Sequence, residues 1–146
     1  MNYVYAIAGL ALSVFVANGL FKAGKFKATA SKETLLGAGF GWVANIPFGT
    51  VRLIAWLEIL GAIGAVLAPV AAYATGLVSA DYASTAEAFK WVGVAAAAGL
   101  ALTMLVAFIM HAVRGETKYT AKMTVPLFLV ATAAAVLHAV VTLPLF

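Results

Sequence analysis

Four apolar stretches, residues 3–21, 53–73, 91–113 and 125–146, constrain this chain more than anything else in it. A hydrocarbon core about 30 Å thick is crossed by roughly 20 helical residues rising about 1.5 Å each, and every one of the four is that long. In lipid the backbone must satisfy its own hydrogen bonds, which helices do. The expected fold class is therefore all-α, an integral membrane four-helix bundle running up-down-up-down. Its helices are predicted at about 3–21, 53–73, 89–113 and 124–145 in a single transmembrane domain over residues 1–146.

Composition narrows the chemistry. Only 10% of residues are charged and 65% are hydrophobic, whereas a soluble domain carries about a quarter charged residues. With 146 residues there is no room for a sizeable soluble catalytic unit beside four spans, so any chemistry lies in or next to the bilayer. No cysteine is present, which removes disulfides, thiolate nucleophiles, iron–sulfur ligation and CxxC relays. Electron transfer would need a bound cofactor or another subunit, and a stand-alone enzyme is less expected than a non-catalytic or quinone-binding subunit. No covalently bound cofactor is expected. The net charge of +4 comes from basic residues beside apolar spans, where they act as topology signals and headgroup contacts. A nucleic-acid partner is not expected.

Charge order also orients the chain. No cation precedes the first stretch, while Lys22, Lys25 and Lys27 follow it, so it reads as a retained anchor despite the cleavage-like Ala28-Thr-Ala30. The first loop, 22–52, carries Lys22, Lys25, Lys27, Lys32 and Arg52 against Glu33, and the third carries Arg114, Lys118 and Lys122. The positive-inside rule puts both in the cytoplasm and both termini outside. Within the first loop, Leu35 to Phe48 is too apolar for a solvated linker and too rich in glycine for a straight helix. It is expected to lie at the interface or dip partly in, with Trp42 at headgroup depth. Ser84 is the expected cap of the third helix. Small residues mark the expected packing faces: Gly9, Ser13 and Ala17; Gly61 and Ala65; Gly99, Thr103 and Ala107; Thr132 and Ala135.

Glu58 is the anomaly. A carboxylate in a membrane-length run costs several kcal/mol unless paired or protonated, which makes it a functional-site candidate by default. It lies about 9 Å inward of Arg52, while Asn18 and His111 lie about 5–6 Å inward of Lys22 and Arg114. Three helices thus bring polar groups to one level, and Glu58 shares the small-residue face of Gly61, Ala62 and Ala65. Two readings stand. In one, Glu58 pairs with Arg52, Arg114 or Lys22 while His111 and Asn18 satisfy neighbouring groups, and the network sets helix register. In the other, Glu58, Arg52, Lys22, His111, Arg114, Asn18 and Trp56, with Trp42 near, line a pocket for an amphipathic ligand. A quinone ring fits it, with His111 or Glu58 exchanging protons. His138 stands apart as a packing residue. The two histidines sit too far apart for a metal site or a haem pair, and no phosphate loop, nucleophile elbow, dinucleotide fingerprint or HExxH occurs.

Gly19-Leu-Phe-Lys22 closing the first helix, Arg52-Leu-Ile-Ala-Trp-Leu-Glu58-Ile-Leu-Gly61 through Pro69 in the second, His111-Ala-Val-Arg114-Gly-Glu116 ending the third and Pro126 opening the fourth touch all four spans. Together they resemble the DoxX-like family of small four-helix membrane proteins. Ala55 stands where that family often has Gly, and Lys122 where Asn is common. The resemblance implies three kinds of activity: the membrane subunit of thiosulfate:quinone oxidoreductases, a partner in a membrane oxidoreductase complex of oxidative-stress defence, and a eukaryotic receptor-assembly chaperone. The leading expectation is an accessory membrane subunit of a respiratory or quinone-linked redox assembly in the bacterial cytoplasmic membrane, with lipids and other membrane subunits or itself as partners. A non-catalytic chaperone or assembly factor is the alternative. A small-molecule transporter is third, disfavoured by the lack of an inverted repeat or a second charge at the midplane.

Overall fold

The helices run well past the apolar stretches that predict them. In the computed structural model, which describes residues 2–143, the order is α1 (Asn2–Thr29), α2 (Lys32–Gly37), a 3-10 helix (Gly41–Asn45), α3 (Phe48–Val78), a second 3-10 helix (Ala80–Tyr82), α4 (Ala83–Val113) and α5 (Thr117–Val140). The chain is all-helical over these residues, and four segments, containing α1, α3, α4 and most of α5, are long and apolar enough to cross a membrane. α1 packs on α3 and α5, and α4 packs on the same two, so each long helix has two principal neighbours. Residues 144–146 of the predicted fourth stretch lie outside the described residues.

Three boundaries differ from expectation for local reasons. α1 continues to Thr29 because the lysines after residue 21 are good helix formers with no proline among them. It stops where Ser31 caps α2, its hydroxyl accepting from the Thr34 N–H at 3.1 Å. Ser79, and not Ser84, is the capping serine before α4: it accepts from the Asp81 N–H at 3.2 Å, while Ser84 sits inside the first turn of α4. Pro126 lies within α5 instead of opening it, because Thr117 to Val125 is already helical.

The connection from α1 to α3 is no solvated loop. Leu35, Trp42, Val43 and Val51 are buried together, with Phe40, Ile46, Phe48 and Met110 packed against them. α2 and the 3-10 helix thus fold back over one end of the bundle. Gly39, at φ +91°, makes the turn between them in the left-handed region that glycine favours. Trp42 is only 7% exposed, its ring buried in this cluster beside Phe40.

Small residues set the helix spacing, on partly different faces from those expected. Gly9, Ser13 and Ala17 are buried on α1, and Ala62 and Ala65 on α3. On α4 the buried stripe is Gly93, Ala97, Leu100, Ala101 and Met104, whereas Gly99 faces outward. A Cβ at Gly93 would stand 2.5 Å from Cγ of Pro69, and one at Gly61 2.7 Å from Cδ2 of Leu100. α3 and α4 therefore approach as closely as glycine allows, the packing that drives helix association in lipid. On α5, Thr132 is exposed and Ala131, Ala134 and Ala135 are buried.

Candidate functional site

The buried face of α1 runs Gly9, Ser13, Val16, Leu20, Gly24, Lys27, a continuous three-to-four-residue spacing. Gly24 brings α1 against the α3 backbone: a Cβ there would lie 2.8 Å from the Ala55 carbonyl oxygen and 3.1 Å from Cβ of Glu58. One turn later, Lys27 Nζ meets Glu58 Oε1 at 2.5 Å. The two side chains are 8% and 2% exposed. Such a pair stands because each charge answers the other where water does not. The second carboxylate oxygen, Oε2, is buried and accepts no hydrogen bond.

Lys27 thus replaces the expected partners of Glu58: Arg52 and Arg114 are engaged elsewhere, and Lys22 points outward. Arg52 donates to the backbone carbonyls of Lys27 at 2.7 Å and Ala30 at 2.9 Å, satisfying carbonyls at the end of α1 that lack helical partners. Its guanidinium also lies 4.6 Å from the centre of the Phe48 ring. Arg114 donates from Nε to Glu116 Oε1 at 2.8 Å. His111 Nδ1 lies 2.7 Å from Glu116 Oε2. The His111 hydrogen bond, then that of Arg114, holds the Glu116 carboxyl below its usual value. Lys22 is exposed, and with Asn18 it edges a separate open groove of about 310 Å³ between α1 and α3. Trp56 is 55% exposed on the outer side of α3.

Beside the ion pair lies a cavity of about 500 Å³. Ligand sites are typically about 300–1,000 Å³ and mostly apolar with few polar groups. Lys27, Glu58 and His111 supply charge or polarity to its wall. Leu20, Leu57, Leu102, Met104, Met110, Met123 and Leu127 make it apolar, and Phe40 and Trp42 of the folded-back connection close one side. Of the residues expected to form a pocket, Glu58 and His111 line this cavity. Arg52, Lys22, Arg114, Asn18 and Trp56 do not.

A model of one protein family matches residues 6–136, a span that takes in every residue of this site. The chain belongs to the DoxX-like family. With its four membrane-length helices, this DoxX-like chain is a multi-pass membrane protein. No curated protein and no solved structure matches it.

Sequence reasoning missed two residues that complete this site, Lys27 and Phe40, whereas Trp42, expected near the pocket, does line the cavity. Lys27 was legible in principle, since it extends the small-residue face of α1 at helical spacing once α1 is carried through to Thr29. Phe40 carried no such signal, because only tertiary folding brings the connection onto the bundle.

At the other end of the helices is a second buried polar group. His138 is fully buried, with Ser13 Oγ 2.9 Å from Nε2 and Tyr73 OH 2.6 Å from Nδ1. A Cβ at Gly9 would fall 2.9 Å from the imidazole, so glycine makes room for the ring. Both ring nitrogens are matched, which agrees with the packing role expected for His138. Lys90, also buried, donates to the Val141 carbonyl at 3.1 Å and closes the end of α5. No group of three or more His, Cys, Asp or Glu arranged to hold a metal occurs among the described residues.

Proposed function

We propose that this protein is an accessory membrane subunit of a quinone-linked redox assembly, and that it holds a quinone head in the cavity beside Lys27 and Glu58. The observation that carries this reading is the buried Lys27–Glu58 pair with one carboxylate oxygen unmatched, set against a large apolar cavity. A purely structural ion pair gains nothing from such a cavity. A membrane-soluble ring with a long apolar tail fits both parts: the polar ring edge meets Lys27 and Glu58, and the tail lies along Leu57, Leu102 and Leu127. A bound quinone supplies two-electron, two-proton chemistry, which the side chains of this cysteine-free chain do not carry. Lys27 donates a hydrogen bond to a ring oxygen, Glu58 orients Lys27, and Phe40 and Trp42 shield the ring from the aqueous side.

Purification in mild detergent followed by lipid extraction and quinone analysis tests this. The expected result is quinone enriched over bulk lipid in the wild-type protein, enrichment lost in Glu58→Ala, and a co-purifying oxidoreductase. Absence of both an enriched quinone and an oxidoreductase partner would refute it.

A second reading, a non-catalytic assembly factor, is favoured by one observation: Gly99 on α4 is exposed, and a Cβ there would meet no atom within 4 Å. Such a position suits close approach of a client helix. On this reading Gly99→Leu leaves the protein folded and lowers the abundance of a partner, while Glu58→Gln does not change redox activity.

A further inference from the structure

Glu58 has two carboxylate oxygens and one donor between them. Oε1 takes the Lys27 ammonium at 2.5 Å, while Oε2 takes nothing. A buried acceptor left unmatched is destabilising, because it has given up water without gaining a donor. An ammonium has three N–H donors, and one of those on Lys27 meets Glu58. Lys27 and Glu58 both line the cavity, so the pair brings unused donors of the ammonium and unused acceptor capacity of the carboxylate to one point of a wall that is apolar apart from His111, Thr103 and Thr124.

A ketone oxygen answers only half of that offer, because it accepts and never donates. A hydroxyl answers all of it: its oxygen accepts from Lys27 Nζ while its O–H donates to the Glu58 carboxylate. A carboxylate oxygen paired with one donor keeps a second lone pair, so the hydroxyl has to reach only whichever oxygen lies nearer the cavity. A hydrogen bond to a charged acceptor in a low-dielectric site is also roughly twice as strong as a neutral one. We propose that the cavity selects a hydroxyl-bearing head, so that it binds the reduced quinol in preference to the quinone. This rests on the quinone-pocket reading above.

Trp42 lines the cavity, whereas Trp56 and Trp91 are exposed on the outer faces of their helices. In W56F/W91F protein in lipid nanodiscs, Trp42 fluorescence then reports occupancy without any catalytic readout. The probes are decylubiquinol, kept reduced under argon, and decylubiquinone, which carries the same tail. The expected result is a Kd at least tenfold lower for the quinol, with the ratio falling below threefold in Glu58→Gln, whose amide is a weaker acceptor and also offers a donor to a ketone. Equal or tighter binding of the quinone overturns the selection of a hydroxyl and leaves the quinone pocket standing. Saturable binding of neither probe overturns both. A full preference retained in Glu58→Gln assigns selectivity to other residues and overturns the role given to Glu58. The wild-type ratio decides the main point whether or not the variant folds.

Discussion

Replacing Lys27 by methionine separates the ion pair from its packing. Methionine keeps nearly the length and apolar stem of lysine, so the change removes the charge and little else. Glu58, 2% exposed and already lacking a donor at Oε2, then has no partner at either oxygen. Breaking a buried pair by removing one member costs about 3–5 kcal/mol, more than a hundredfold in the folding equilibrium. The double variant K27M/E58L removes both charges and fills the site with apolar groups, which is typically neutral or stabilising by about 1–4 kcal/mol. The two substitutions should therefore be strongly non-additive, with a coupling energy of about 2 kcal/mol or more. Unfolding by sodium dodecyl sulfate in mixed micelles, followed by tryptophan fluorescence, measures all four corners of the cycle. If Lys27→Met lies within about 1 kcal/mol of wild type, or the double variant is as unstable as the single one, Glu58 is not held by Lys27 in the way the geometry requires.

Gly24→Ala should destabilise by about 1–3 kcal/mol in the same assay, because its Cβ meets the Ala55 carbonyl oxygen at 2.8 Å and pushes backbone from backbone. Gly49→Ala, with no atom within 4 Å of its Cβ, should instead be neutral or stabilising by up to about 1 kcal/mol. Tyr73→Phe strips the buried Nδ1 of His138 of its partner and should cost about 1–3 kcal/mol without changing ligand binding at the far cavity. Glu116 titrates lower folded than unfolded, so its contribution is complete above the ordinary carboxyl value of 4.5 and is lost as pH falls through the lowered folded value. Hydrogen exchange at the α4–α5 junction should show wild type better protected than Glu116→Gln at pH 6, with the difference vanishing in strong acid.

How far the letters reached differs between fold and site. The spans were legible because hydrophobicity over about 20 residues is a local property that lipid reads directly. Their ends were not, since the lysines after residue 21 permit helix without requiring it, and burial of Gly24, Lys27 and Val51 against neighbouring segments carried the helices on. At the site, Glu58 and His111 stood out through cost and rarity. The depth argument that grouped them with Lys22, Arg52 and Arg114 compared heights along helices and knew nothing of azimuth. Lys22 faces outward, Arg52 turns to the end of α1, and Arg114 turns to Glu116.

Sequence alone determined that this protein is a membrane-spanning helical chain with an acid that needs an answer, because chain length, apolar run length and the cost of a buried carboxylate depend on no neighbour. Only the tertiary structure decided what the answer is. Lys27 reaches Glu58 because Gly24 lets two helices nearly touch, and Phe40 and Trp42 form a cavity wall because the connection folds back on the bundle. Both are distances between segments far apart in the chain, and such distances are set by packing, which no local pattern of residues encodes.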